Sequence, residues 1–454
     1  MSDLDRTRRP NSGPIRDFDF PAVDRRTTSN GLDLRVAHMN RLPVVSLTLF
    51  MRAGEAGLSE AKMGLGVLTA DALDGGTKRR SGSALAEALE GIGARVSATC
   101  GWEGTSVGLS CLADRLPEAL ALFSEAVLEP DFPVDEFERA REQQLAAIRQ
   151  REKDPGSLAG YSALTRYYAE GVPYARPVDG TTESIASLSR DDLRGYADAN
   201  YRPSGGGLIV VGDVETSEVE EMVSEYLGDW IGAPASQPDF RVEPATRTRR
   251  VQVIHRPGSV QSEIRVGHVG VARSTPDYYA LSIANMVLGG MFTSRLNLNL
   301  REKNGFTYGI RSRFSFRSEA GPFEVSTGVG NDVTAAAVGE IMTELVAMAE
   351  SGPTEEEVAA ARDYAAGIFG LQLETVGQIA TRLSQLVVYG LSDTYFDEYR
   401  DSVRGVTLES VAEAAARHIR PAEAQIVLVG DADVVGPPLE ELGLGAVEVI
   451  PPVA

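Results

Sequence analysis

Cysteine and histidine are scarce in this chain of 454 residues, which holds two of the first and four of the second. Two cysteines cannot build the disulfide framework of a small secreted domain. Cys100 and Cys111 fall on opposite strands of a predicted hairpin that turns at Gly101-Trp102-Glu103-Gly104. A symmetric turn pairs Cys100 with Thr105, not with Cys111, so both are read as reduced, partly buried thiols. The histidines are His38, His255, His268 and His418, and none stands three or four residues from another. A helical histidine pair for a metal is therefore missing. For His255 and His268 ordinary sheet histidines are the favoured reading, with a facing pair across two strands as the alternative. Gly104-Thr105-Ser106-Val107-Gly108 fits a Gly-x-Ser-x-Gly pattern but lies inside a predicted hairpin, not at a strand-to-helix turn, and neither cysteine has a histidine nearby, so a serine or cysteine hydrolase finds no support.

Long apolar runs are missing as well, and none approaches a membrane span. The N-terminus, Met-Ser-Asp-Leu-Asp-Arg-Thr-Arg-Arg-Pro, has arginines without a following apolar core and does not read as a secretory signal. Asp3, Asp5, Asp17 and Asp19 speak against an acid-poor transit peptide. The expected compartment is the cytoplasm. Basic residues are in deficit, 44 against 65 acids, for a net charge of -21. Residues 1–250 carry 39 acids and 29 bases, and residues 251–454 carry 26 and 15, so the two parts stand at -10 and -11. Acidity spread this evenly argues against a nucleic-acid partner and is compatible with basic peptides.

What is present is a chain written twice. Its length exceeds one ordinary core, and its 43% hydrophobic and 24% charged residues give a soluble globular balance. Tyr201-Arg202-Pro203 leads into Leu208-Ile209-Val210-Val211 and Gly212-Asp213. Ile419-Arg420-Pro421 leads into Ile426-Val427-Leu428-Val429 and Gly430-Asp431, offset by 218 residues. Pro133-Val134-Asp135-Glu136 and Pro353-Thr354-Glu355-Glu356 each open an alanine-rich helix, offset by 220, and Thr354 with Glu357 has capping-box spacing. Leu73-Asp74-Gly75-Gly76 matches the Leu288-Gly289-Gly290 region. Three matches in one order imply duplication. Each copy reads as strands (Val44 to Met51; Val251 to Val271), a helix, a hairpin (Ala94 to Leu112; Tyr308 to Gly330), further helices and a last apolar strand. The fold class is α+β, with two homologous alpha/beta sandwich domains. The continuous apolar last strands are expected at the sheet centres. We place a polar tail at 1–19, a first domain at 20–231, a breaker-rich linker at 232–247 and a second domain at 248–450.

Residues 289–309 carry the clearest chemistry. The glycine pair Gly289-Gly290 is expected to open a helix that turns Leu296, Leu298 and Leu300 inward and ends near Gly305. Arg301 and Tyr308 then leave the helix end and the next turn close together. A fixed cation beside a neutral phenol donor suits a peptide carbonyl and a developing oxyanion. A helix end with a surface arginine and a packed tyrosine is the plainer alternative.

The two-copy layout, over about Phe20 to Val449, resembles one half of the pitrilysin/insulinase family of zinc peptidases, in particular its two-subunit, mitochondrial-processing-peptidase-like branch. The family frame is Gly-Leu-x-His-x-x-Glu-His-x-Leu-x-x-Gly-Thr. Residues 64–77 here read Gly-Leu-Gly-Val-Leu-Thr-Ala-Asp-Ala-Leu-Asp-Gly-Gly-Thr. Val67 and Asp71 stand where the resemblance implies zinc-binding histidines, and Ala70 stands where it implies the base that activates water. The family's third ligand, in a Leu-Glu-Glu-Ile context, becomes Leu145-Ala146-Ala147-Ile148. The Arg-x6-Tyr pair of the family's second copy is kept as Arg301 and Tyr308. The long glycine-rich loop of the mitochondrial non-catalytic subunit is absent, with Gly289-Gly290 a short remnant, so presequence recognition is not carried over. The resemblance thus implies a non-catalytic subunit with no metal or cofactor of its own. Its partner would be a homologous subunit bearing the zinc, and its substrate a peptide or unfolded protein. Arg301, Tyr308, Gly289 and Gly290 would contact that substrate. A catalytically silent scaffold, as in respiratory-complex core proteins that resemble the family, is the rival expectation.

Overall fold

The two last strands explain the architecture. Gly207–Gly212 and Gln425–Gly430 are buried along their whole length. Their alternate residues serve two different cores. Leu208 and Val210 enter one apolar cluster while Ile209 and Val211 enter another, and Ile426 and Leu428 divide from Val427 and Val429 in the same way. A strand covered on both faces needs no polar side, which is why each reads as an unbroken apolar run.

The computed structural model describes residues 13, 18–235 and 238–451. The expected tail at 1–19 lies outside these apart from 13, 18 and 19, and so do Ser236 and Gln237 of the expected linker. The first sheet uses β1 (Asp24–Thr27), β2 (Asp33–His38), β3 (Val44–Met51), β4 (Arg95–Cys100), β5 (Thr105–Leu112) and β6 (Gly207–Gly212). Its order is β1-β2-β6-β3-β5-β4. The second uses β7 (Arg250–His255), β8 (Gln261–Val269), β9 (Ile310–Phe314), β10 (Pro322–Gly330), β11 (Gln425–Gly430) and β12 (Val447–Ile450), in the order β12-β7-β11-β8-β10-β9. Five strands of each sheet, up to the edge strands β4 and β9, correspond one to one, and β6 and β11 occupy the same place, as duplication requires. The outer strand differs. β1 runs antiparallel to β2 from the N-terminal side, and β12 runs parallel to β7 from the C-terminal side. These are two α/β units, each with a six-stranded mixed sheet plus helices.

Each sheet has its own helices on one face. The other face is covered by a helix from the opposite half. Pro155–Tyr167 packs on β8 and β11, and Val376–Tyr389 packs on β3 and β6. The first contact buries Leu158, Ala159, Ala163 and Tyr167 against Ile254, Val269, Val427 and Val429. The second buries Ile379, Leu383, Leu386 and Val387 against Phe50, Ile209 and Val211. Fully burying a side chain of this size is worth about 1.5–3 kcal/mol, so the exchange binds the halves firmly. An ion network adds to it, in which Arg25 and the buried Arg35 both reach Asp393 of the second half, at 3.1 and 2.6 Å.

Several local expectations hold. Cys100 pairs with Thr105 in the β4–β5 register, and Thr354 with Glu357 forms the capping box of the Glu355–Leu371 helix. Two do not. The glycine pair closes a helix instead of opening one, because Met286–Gly290 is a π-helical end to the Tyr278–Asn285 helix. Leu298 is half exposed while Leu296 and Leu300 are buried. Residues two apart on a helix point to nearly opposite sides, so all three could not face inward. His255 and His268 both lie in sheet strands, as favoured, and the alternative of a facing pair falls because β11 lies between β7 and β8. His268 instead accepts the Arg420 backbone N–H at 3.0 Å, and burial lowers its pKa to about 3. No helix among the described residues is long and apolar enough to cross a membrane.

Candidate functional site

The frame of residues 64–77 folds into the short helix Leu65–Asp71, entered through Gly64 in the left-handed region (φ 79°). A side chain at Gly64 would collide with the Asp179 carbonyl oxygen at 2.6 Å. A Cβ at Gly66 would stand 2.8 Å from Cys100 Sγ and the Tyr196 hydroxyl, and 2.9 Å from Glu55 Oε1. Both glycines are therefore required by packing. The helix has no capping side chain of its own. Glu55 supplies one from outside, its carboxylate accepting the N–H groups of Gly64 at 3.0 Å and Val67 at 3.1 Å. A carboxylate at a helix N-terminus is favourable, but burial dominates and raises the Glu55 carboxyl to about 7. Burial, with Glu55 adding to it, pushes the Cys100 thiol up to about 12, so it is no nucleophile at neutral pH. Sequence reasoning missed Glu55. The signal was available as a glutamate in Ala53-Gly54-Glu55 ahead of a helix start that lacks Ser, Thr, Asp or Asn at its cap.

Val67 is half-buried, Ala70 is buried and Asp71 is exposed at the helix end. Asp71 and Asp74 form one wall of a cleft of about 300 Å³, with β4 residues Arg95 to Ala98 on the other. Although solvent reaches Asp71, crowding by the cleft and then the charge of Asp74 raise its carboxyl above the usual range. Ala146 and Ala147 are exposed on the Val134–Lys153 helix, which packs on the frame helix. Gln144 ties the two together by donating to the Gly64 carbonyl at 3.3 Å. The family position for zinc therefore holds one carboxylate among alanines and a valine. This donor set does not fit an ion that takes three or four protein ligands.

Among the described residues, His255, Asp431 and Asp433 are compact enough to hold a metal ion. Two of the three already accept backbone hydrogen bonds. His255 Nδ1 accepts the Ala432 N–H at 3.0 Å, and the two Asp431 oxygens accept Gly258 N–H at 2.8 Å and Asp433 N–H at 3.2 Å. The group caps the Ala432–Glu441 helix, a terminus that favours anions over cations.

In the second half, π-helical turns at Met286–Gly290 and Asn297–Lys303 bracket the exposed turn that bears Phe292. Gly289 is buried, and a Cβ there would stand 2.5 Å from the Ser312 nitrogen, so it permits close approach of β9. Gly290 is exposed. Asn297 anchors the segment, donating to the Ile310 carbonyl at 2.8 Å and accepting the Ile310 N–H at 3.4 Å. Arg301 lies over the Phe292 ring, 4.2 Å from its centroid, with Glu302 at 3.7 Å. Tyr308 is wholly exposed, beyond Gly305 (φ 66°), and its hydroxyl has no hydrogen-bond partner among the described residues. The alternative of a packed tyrosine therefore fails, since none of the described residues covers the ring.

Comparison with known proteins adds the family. Residues 36–180 match the family model described as insulinase (peptidase family M16), and residues 187–364 match the peptidase M16 inactive domain. An "uncharacterized zinc protease" of Mycobacterium leprae (strain TN) is 25% identical over 406 residues, 89% of each chain. Human cytochrome b-c1 complex subunit 1, mitochondrial, is 26% identical over 262 residues, 56% of this chain and 53% of that one. The crystal structure of a peptidase M16 inactive domain from Pseudomonas fluorescens superposes with a TM-score of 0.85 at 27% identity, over 90% of this chain and 98% of that one. With both halves of the duplicated fold matched, this chain is a homologue of the zinc proteases of the insulinase family, M16.

Proposed function

We propose that the chain is the non-catalytic subunit of a heterodimeric zinc endopeptidase, at work in the cytoplasm on peptides or unfolded proteins. The observation that carries this reading is the contrast between the two halves. The frame helix keeps its glycines and its Glu55 cap while presenting Val67, Ala70 and Asp71, and the second half holds Arg301 and an uncovered Tyr308 at the surface. A solvent-exposed tyrosine that stabilises nothing in its own chain is suited to act on something outside it. A homologous subunit would supply the zinc, the water and the base. In the assembled site Arg301, held by Phe292, would receive a substrate carbonyl. Tyr308 would donate to the oxyanion of the tetrahedral intermediate, with Gly290 leaving room for the backbone of the peptide. The name of the Pseudomonas relative, an inactive domain, supports this reading. β4 is the free edge of the first sheet, beside the frame helix. An extended peptide can add there as a further strand.

The similarity to a cytochrome b-c1 subunit favours a second reading, a scaffold with no part in chemistry. Co-expression with a His-x-x-Glu-His relative, size exclusion and a peptide cleavage assay separate the two. Tyr308→Phe in the complex is expected to lower kcat by about 10²–10³, the range seen when one oxyanion donor is lost, with zinc content and association unchanged. A kcat within about twofold of the parent, or a pair that never associates, leaves the scaffold.

A further inference from the structure

Where the first half, the linker and the second half meet, the protein encloses a cavity of about 390 Å³. That is within the usual range for small-ligand sites, about 300–1,000 Å³. One part of its wall is apolar, made of Leu58, Trp102, Pro238 and Phe240. Tyr174 joins them, its ring 5.6 Å from Trp102 and 5.2 Å from Phe240. The remainder is charged, and the charges are not spent on one another. Arg52 donates from Nε to the Gly205 carbonyl at 2.9 Å and from Nη2 to the Val387 carbonyl at 3.1 Å. No carboxylate pairs with it among the described residues, and burial lowers its pKa without a compensating acid. Glu103 uses only Oε1, which accepts the Tyr174 hydroxyl at 3.0 Å and the Ser318 N–H at 3.1 Å. Glu319, from the second half, adds another carboxylate. Arg317 is not part of the lining but stacks 4.4 Å from the Tyr174 centroid, and its buried Nη1 has no partner among the described residues.

A ligand of one charge would satisfy half of this wall and oppose the other half. We propose that the cavity binds short zwitterionic peptides of about two residues that carry a large apolar side chain. The carboxylate goes to Arg52, the ammonium to Glu103 and Glu319, and the side chain to the Trp102–Phe240 wall. This site is separate from the Arg301–Tyr308 segment and does not rest on the role proposed for that segment. Because its walls come from both halves and the linker, an occupant ties the three together.

The test is calorimetric titration of the full chain with Leu-Phe, its N-acetyl form and its C-terminal amide. The free dipeptide is expected to bind and to raise Tm. Glu103→Gln, which keeps the acceptor for Tyr174 and Ser318, should weaken the free dipeptide about tenfold and leave the N-acetyl form unchanged, as loss of one charge-assisted contact predicts. Arg52→Gln should do the same for the free dipeptide but not for the amide. Arg52→Lys, which keeps the charge, guards against a folding defect and should restore most of the binding. No heat at millimolar dipeptide, or binding indifferent to Glu103→Gln and to both end-blocking groups, overturns the proposal.

Discussion

Replacing Glu55 with glutamine isolates what its buried charge does to stability. Burial holds the folded-state carboxyl at about 7 against an ordinary 4.5, despite the N–H groups of Gly64 and Val67 that favour its ionised form. Between those two pH values the folded protein keeps a proton that the unfolded chain releases. The group's contribution is therefore fully favourable below about pH 4.5, falls as pH rises toward 7, and changes no further above it. At 1.36 kcal/mol per unit, the loss over this interval amounts to about 3 kcal/mol. Glutamine resembles the protonated acid in size and charge and does not titrate, but its amide nitrogen cannot accept one of the two N–H groups that the Glu55 oxygens accept, so the variant carries a pH-independent cost of about 1–3 kcal/mol. On top of that constant cost, Glu55→Gln should gain about 2.5 kcal/mol on the parent between pH 5 and pH 8. Urea denaturation of both proteins in the same buffers, from pH 5 to pH 8.5, measures the difference directly. Other titrating groups of this acidic chain cancel in the subtraction. A difference that stays constant across the range would refute the reasoning, and so would a parent that gains on the variant as pH rises.

Leu383, fully buried where the second half's helix meets the first sheet, should cost about 2–5 kcal/mol on Leu383→Ala, read by denaturation midpoint. Gly66→Ala should destabilise by about 1–3 kcal/mol, because the new methyl meets three buried polar atoms at 2.8–2.9 Å and outweighs the gain of about 1 kcal/mol in helix propensity. A more stable variant contradicts the packing. Tyr308→Phe in the isolated chain should leave Tm unchanged, since the side chain is wholly exposed. Metal analysis of the purified chain should find well under one zinc per molecule, and a chelator should not shift its Tm.

The duplication and the central strands were legible because burial on both faces imposes a composition that no surface strand shares. The β4–β5 register followed from the symmetry of a two-glycine turn, and the capping box from its spacing. The exchange of helices was not legible. The Pro155–Tyr167 and Val376–Tyr389 helices carry an apolar face each, and either sheet could have received either face. Whether His255 and His268 face each other was not legible for a related reason. β7 and β8 are neighbours in sequence, but β11 enters between them from more than 150 residues away. At the candidate site, Val67, Ala70, Asp71, Arg301 and Tyr308 could be placed from their motifs. Glu55 was signalled only as an acid ahead of an uncapped helix start, and its capping across nine residues rests on a backbone path that this signal does not specify.

The reciprocal helices have a consequence for how the chain can be cut. The segment around residues 232–238 is the covalent bridge between the halves, yet each half also holds a helix seated on the other's sheet. Protease nicking there should leave two fragments that co-elute as one particle and separate only in denaturant. Expressed singly, each fragment would instead leave a row of valines and isoleucines bare on its sheet, Ile209 and Val211 in one, Val427 and Val429 in the other. The halves are thus two sequences but one folding unit, and a truncation designed at the linker would yield aggregates where a nick yields an intact protein.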